Sequence, residues 1–348
     1  MSRVTFGYVQ SGVDALSAFR FAVMAERHGF DAVWLGDHFL DVDGDKLEPW
    51  TVMSAVAPLT KTARLGSDVT DCQRNHPART AQMVASLDTI SRGRAILGIG
   101  AGEAMNIVPF GLPWETPSDR IARLEETIEV ILALWASSRE KTITFSGRFY
   151  SLKDAFLSQS PKQKPHPPIY VGAFSSESAL KLVGRRADGW ISWFNTADTY
   201  KRRWSTILRE AASIGRSSKE IEPVTHLLTA FPRNTSEKRT VLLAGKAVLL
   251  MEKHVLRSLK KDFDPRFLQY QNLLVSKDYV ERIMAAAESI PDDLVYKTMG
   301  IGGTGEVIER IDELTKAGAK HIILADLLAP KTAKRTLRVF SRIIRTYK

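Results

Sequence analysis

"LGIGAGEAMN", residues 97–106, is an apolar run that ends in three alternating glycines, followed at once by the acid Glu103. Two folds compete for it. A dinucleotide-binding loop needs G-x-G-x-x-G, an immediate helix, and an acid about 20 residues on, at the end of the next strand. Here Gly98, Gly100 and Gly102 alternate, the acid follows directly, and the next long helix waits until about Pro117. The other reading is a barrel strand. Small residues at its carboxyl end would let a flat ligand approach the backbone, and Glu103 would project at the catalytic face.

The rest of the chain decides between them. Short apolar runs alternate with helical stretches from end to end: "VTFGYV" (4–9), "AVWLGDH" (32–38), "RLGSDVT" (64–70), "AILGIGAG" (95–102), "PIYVGAF" (168–174), "GWISWF" (189–194), "VTHLLTAF" (224–231) and "HIILADL" (321–327). Continuous apolar character marks parallel strands buried on both faces. Between them, "DALSAFRFAVMAERHGF" places Ala15, Phe19, Ala22 and Val23 at helical spacing before Gly29 stops the helix. Eight βα units predict a (β/α)8 TIM barrel of the α/β class spanning residues 1–348. Two insertions are expected: a β-hairpin with a Pro-rich return over about 141–168, and helices over about 233–303, between strands seven and eight.

Composition narrows the function. Of 348 residues, 44% are hydrophobic and 25% charged, as in a globular protein with a large core. No apolar run is long enough to span a membrane, and "MSRVTFGYVQ" has no signal-peptide pattern. The lone Cys72 excludes an internal disulfide framework, points to a reducing cytoplasm, and leaves no thiolate set for zinc. A packed rather than reactive thiol is expected there. The net charge of +10 is spread over "YKRRW", "MEKHVLRSLKK" and the carboxyl-terminal helix, without a zinc-finger or RNA-binding signature. It fits capture of an anionic small molecule better than nucleic acid.

Three constellations sit at predicted strand ends. Asp37 and His38 close strand two, and histidine is the natural general acid–base near neutral pH. Glu103 and Asn106 follow strand four. "VGAFSSES" (171–178) ends strand five and opens a helix whose first-turn N–H groups and serine hydroxyls either hold a phosphate or simply cap the helix. Trp190, Trp193 and Phe194 are expected at the barrel mouth or core.

Taken together, "FGYV" with "GDHF", "LGSDVTDCQRNHPARTAQMVASLDTISRGRAILGIGAGEAMN" (65–106), "ITFSGRFYSL" with "PIYVGAF", and "ADGWIS" resemble the bacterial-luciferase-like superfamily. More narrowly they are similar to its branch that uses the deazaflavin coenzyme F420. The resemblance implies His38 and Glu103 as catalytic residues. It implies Asp37, Asp68, Val69, Asn106, Gly172, Ala173 and Ser176 around the cofactor, with a non-prolyl cis peptide at Asp68–Val69 and the phosphate near Gly172, Ala173 and Ser176. It also implies a homodimer.

The chain departs from the branch in places. Val42 stands where its alcohol and sugar-phosphate dehydrogenases carry an aromatic residue, and "ISWFNTADTY" lacks phosphate-clamping lysines. The strand-three loop has the short length of methylenetetrahydromethanopterin reductase, yet Val9 replaces an acid of that reductase. The expected reaction is hydride transfer between the deazaflavin and, in first place, methylenetetrahydromethanopterin, as in a reductase, with an alcohol or carbonyl as the second choice. An FMN-dependent monooxygenase and a non-catalytic flavin-binding barrel are the alternatives.

Overall fold

In the computed structural model, residues 3–9, 15–40, 47–250, 277–328 and 332–348 are described. Eight strands form the predicted barrel: β1 (Thr5–Val9), β2 (Ala32–Leu35), β3 (Arg64–Ser67), β4 (Ala95–Gly100), β5 (Ile169–Gly172), β6 (Gly189–Ser192), β7 (Glu222–Ala230) and β8 (His321–Asp326). Each pairs in parallel with its neighbours in sequence, and β8 pairs with β1 to close the ring. Helices α1 (Ala15–Arg27), α2 (Pro49–Val56), α3 (Pro77–Ile90), α4 (Pro117–Trp135), α5 (Glu177–Arg186), α6 (Ala197–Ser213), α7 (Thr235–Leu250), α8 (Lys277–Ala287), α9 (Asp292–Thr298), α10 (Thr304–Lys316) and α11 (Ala333–Arg345) surround it.

The pleat divides the apolar side chains into two sets. Phe6, Val33, Leu65, Leu97, Val171 and Ile322 face the helices, while Trp34, Ile96, Tyr170, Ile191, Val224 and Ile323 fill the barrel. The interior is plugged near the strands' amino ends. Trp34 lies against Tyr170, ring centroids 5.8 Å apart. This crossing is possible because three facing positions have no side chain: a methyl at Gly7 or Gly66 would come within 2.6 Å of the Trp34 ring, and one at Gly189 within 2.6 Å of Tyr170. A polar layer accompanies the plug. Arg64 donates to the Tyr170 hydroxyl at 3.0 Å and to Glu222 at 2.9 Å, Trp34 Nε1 donates to His321 Nε2 at 3.1 Å, and His321 Nδ1 lies 2.8 Å from the Thr5 hydroxyl.

Both insertions are present where they are described. Ile143–Ser146 and Ser151–Ala155 form the antiparallel hairpin. The second insertion contributes α7, α8 and α9, with residues 251–276 outside the described set. It is not wholly helical, because Gly300–Ile301 pairs in parallel with Thr229–Ala230 at the end of β7.

Several strands are shorter than the apolar runs suggest. β2 stops at Leu35 and leaves Asp37 and His38 in the following loop. "RLGSDVT" is split, because the chain leaves the β3 ladder at Asp68–Val69, whose peptide bond is cis, and returns as Thr70–Asp71 alongside β4. Gly98 and Gly100 of β4 accommodate this bulge. A methyl at Gly98 would strike the Ser67 carbonyl, and one at Gly100 would lie 2.9 Å from Val69. Gly102 has φ +87°, a left-handed conformation that favours glycine.

Candidate active site

The loops after β2, β3 and β4 bring the predicted residues together at the barrel's carboxyl-terminal rim. Asn106, in the 3₁₀ turn Ala104–Asn106, is the organising side chain. Its Oδ1 accepts from the backbone N–H groups of Phe39 (2.6 Å) and Leu40 (3.0 Å). That fixes the amide's orientation, so its Nδ2 donates toward His38 Nδ1 (2.9 Å) and Glu103 Oε2 (3.3 Å). Glu103 Oε2 is itself 3.3 Å from His38 Nδ1, and the His38 and Glu103 side chains are 15% and 23% exposed. Partly screened and close together, they are placed so that an imidazole and a carboxylate can exchange a proton at the edge of solvent. The imidazole can come this near because Gly36 has no side chain; a methyl there would lie 3.1 Å from His38 Cδ2.

Asp37 is engaged within the protein. One carboxylate oxygen accepts from Thr70 at 2.7 Å, and the other accepts from Arg74 at 2.8 Å. Arg74, which the sequence reading missed, also pairs with Asp71 and donates to the Asp37 carbonyl. It clamps the bulge to the β2 loop. Burial lifts the Asp37 carboxyl above its ordinary value, while Arg74 pulls the other way. Cys72 lies in this loop, and burial pushes its thiol well up, leaving a packed group rather than a nucleophile.

Beneath the rim lies a second acid–histidine pair. Asp68 reaches across the barrel to His226 on β7, whose Nε2 is 3.0 Å from both carboxylate oxygens; the side chains are only 2% and 1% exposed. Nε2 faces the carboxylate, and Nδ1 is the ring's second polar atom. That atom is enclosed and has no hydrogen-bond partner. Trp193, just past β6, stacks on the ring with centroids 4.1 Å apart. A signal for His226 existed. It shares the inward parity of Val224 and Leu228, where a barrel strand normally carries an apolar side chain.

Val69 packs over the β4–β5 edge; its methyls would lie 3.2 Å from a Cβ at Gly172. The Ala173 N–H and carbonyl are taken up by Ile191 (3.1 Å) and the Trp190 indole (2.7 Å), so Ala173 offers shape rather than backbone donors. Ser176 is the N-cap of α5, its Oγ accepting from the Ala179 N–H at 3.4 Å. The earlier first-turn N–H groups lack intrahelical acceptors by construction. Of the aromatic residues, Trp190 is core and stacks on Tyr200 at 4.8 Å, while Trp193 and Phe194 pack edge-on near the mouth. Val42 lies outside the described residues.

The luciferase-like monooxygenase family model matches residues 3–321. The chain is 31% identical to an F420-dependent glucose-6-phosphate dehydrogenase of Microbacterium testaceum over 88% of its own length and 86% of that protein. It is 28% identical to a phthiodiolone/phenolphthiodiolone dimycocerosates ketoreductase of Mycobacterium bovis, over 97% of both chains. Among solved structures, an F420-dependent secondary alcohol dehydrogenase superimposes with a TM-score of 0.81 at 24% identity, covering 99% of both chains. The coenzyme F420-dependent tetrahydromethanopterin reductase of Methanopyrus kandleri gives 0.82 at 21%, covering 100% of both. At these identities the two structures speak for the fold alone.

Proposed function

The chain belongs to the luciferase-like monooxygenase family, and from that premise we propose that it is a coenzyme F420-dependent oxidoreductase interconverting a carbonyl compound and its alcohol. The observation that carries the reading is the His38–Asn106–Glu103 cluster at the rim. Two relatives support it: the glucose-6-phosphate dehydrogenase, for the deazaflavin, and the ketoreductase, for carbonyl chemistry.

The residues fit the cofactor. An anionic phosphate suits the α5 amino terminus, with Ser176 as its cap. The Val69 bulge and the enclosed, partnerless Nδ1 of His226 offer an apolar back and a polar atom beneath the rim. The deazaflavin, when bound, takes up or delivers a hydride.

The protein's own task is to orient the carbonyl and manage one proton. Asn106 donating to Nδ1 favours the His38 tautomer with its proton on Nε2. Glu103, competing for the same nitrogen, favours the tautomer with the proton on Nδ1, and holds the imidazolium by the same contact. In carbonyl reduction, imidazolium His38 would pass its Nε2 proton to the forming alkoxide and remain neutral with Nδ1–H on Glu103. In alcohol oxidation that neutral form would accept the hydroxyl proton at Nε2, so the atoms balance in both directions. Asp37 and Arg74 fix the loop that carries His38.

The test is to mix the protein with oxidised or reduced deazaflavin, and separately with FMN, and follow the deazaflavin absorbance against a panel of ketones, secondary alcohols, glucose 6-phosphate and methylenetetrahydromethanopterin. Turnover of ketones and secondary alcohols is expected. Turnover of the pterin or sugar phosphate alone, or oxygen uptake with FMN, would overturn the assignment.

A further inference from the structure

Beside the His38 cluster stands an apolar lip. Phe39, Leu40, Val108 and Phe110 are 36–54% exposed, although all are large and apolar. Phe39 and Phe110 pack edge-on with centroids 4.6 Å apart, and the Arg74 guanidinium lies over the Phe39 ring at 4.6 Å. Other exposed apolar side chains, such as Leu59, Ile90 and Ile214, stand apart on separate elements. A contiguous apolar patch on a protein surface marks a binding site far more often than scattered residues do.

The lip is built into the reactive cluster. The N–H groups of Phe39 and Leu40 bond to Asn106 Oδ1, and the same amide's Nδ2 contacts His38 and Glu103. Val108 and Phe110 lie two and four residues after Asn106, in the 3₁₀ turn Val108–Phe110. One amide therefore ties the apolar surface to the proton-handling group, and a molecule reacting at His38 would lay its neighbouring atoms on that surface. A sugar phosphate or other polyhydroxylated substrate would leave its hydroxyls against carbon there, at a desolvation cost. An alkyl or aryl chain would instead leave water.

We infer that the substrate is a carbonyl or secondary alcohol bearing an extended apolar chain, and that Phe39, Leu40, Val108 and Phe110 set this specificity. The inference rests on the carbonyl–alcohol reading above. Apolar transfer predicts a gain in kcat/KM of about fourfold per methylene that reaches the lip.

The experiment compares 2-decanone with acetone in two assays. The first is deazaflavin-linked reduction; the second is equilibrium binding of each ketone, read by intrinsic tryptophan fluorescence without turnover. 2-Decanone is expected to bind tighter and turn over with a higher kcat/KM. In the Phe110→Ser and Val108→Ser variants its advantage over acetone should fall at least tenfold, through KM rather than kcat. Acetone turnover with no gain for 2-decanone would sink the lip and leave the function standing. Tight 2-decanone binding without turnover of any ketone would uphold the lip and sink the function. Sedimentation showing a wild-type dimer that Phe110→Ser converts to monomer would make the lip a subunit face and overturn the inference.

Discussion

His38 Nδ1 and Glu103 Oε2 lie 3.3 Å apart, and the contributions of the two side chains can be separated by substitution. Glu103→Gln keeps the size of the side chain but removes the charge that holds the His38 cation. Turnover should fall by about 10²–10⁴, while deazaflavin affinity, measured by fluorescence titration, changes little. The two directions should also respond oppositely to pH, ketone reduction following protonated His38 and alcohol oxidation following the neutral ring. A common pH profile for both directions would speak against His38 as the proton carrier. The buried pair beneath is expected to matter for folding. His226→Leu strands the Asp68 carboxylate among apolar atoms, and loss of one partner of such a pair typically costs about 3–5 kcal/mol. Adding Asp68→Asn should restore part of the stability, read as the urea midpoint.

Elements explain what the sequence could and could not reveal. The strands were legible because parallel strands buried on both faces are written as continuous apolar runs, and the convergence of His38, Glu103 and Asn106 was legible because the loops past barrel strand ends gather at one rim. Strand ends themselves were less so. The runs "AVWLGDH" and "RLGSDVT" extend past Leu35 and Ser67, where the observed strands stop. Arg74 and His226 escaped because their meaning depends on partners distant in sequence, Asp37 and Asp68. The β4 glycines were located correctly, but that the neighbouring bulge fills the space beside Gly98 and Gly100 could not be read from them alone. Two substitutions test that account. Gly98→Ala drives a methyl into the Ser67 carbonyl and should lower the melting temperature and impair cofactor binding together. Gly305→Ala, in the first turn of α10 with open space around it, should be neutral or stabilise by up to about 1 kcal/mol.

At the scale of the molecule, the polar layer at the barrel's closed end links folding to pH. Burial, reinforced by Arg64, depresses His321 to about 3. Burial raises the Glu222 carboxyl, but the hydrogen bonds and charge of Arg64 outweigh it and hold the group at about 2. Both folded values lie below their ordinary ones, so in acid the unfolded chain binds more protons than the folded one. His321 therefore costs stability as pH falls below about 6.5, and Glu222 adds to the loss below about 4.5, each approaching about 1.4 kcal/mol per pH unit. The urea midpoint should decline steadily from pH 7 to pH 4. His321→Gln should flatten the upper part of that decline, whatever its effect at pH 7.

The Trp34–Tyr170 contact has a kinetic consequence as well. Among the described residues it fills the amino-terminal part of the barrel interior, which directs arrival and departure to the carboxyl-terminal rim. Whichever of two molecules goes in first and sits lower cannot escape until the upper one has gone. An enzyme shaped like a cul-de-sac imposes an order of exchange on its visitors without any moving gate.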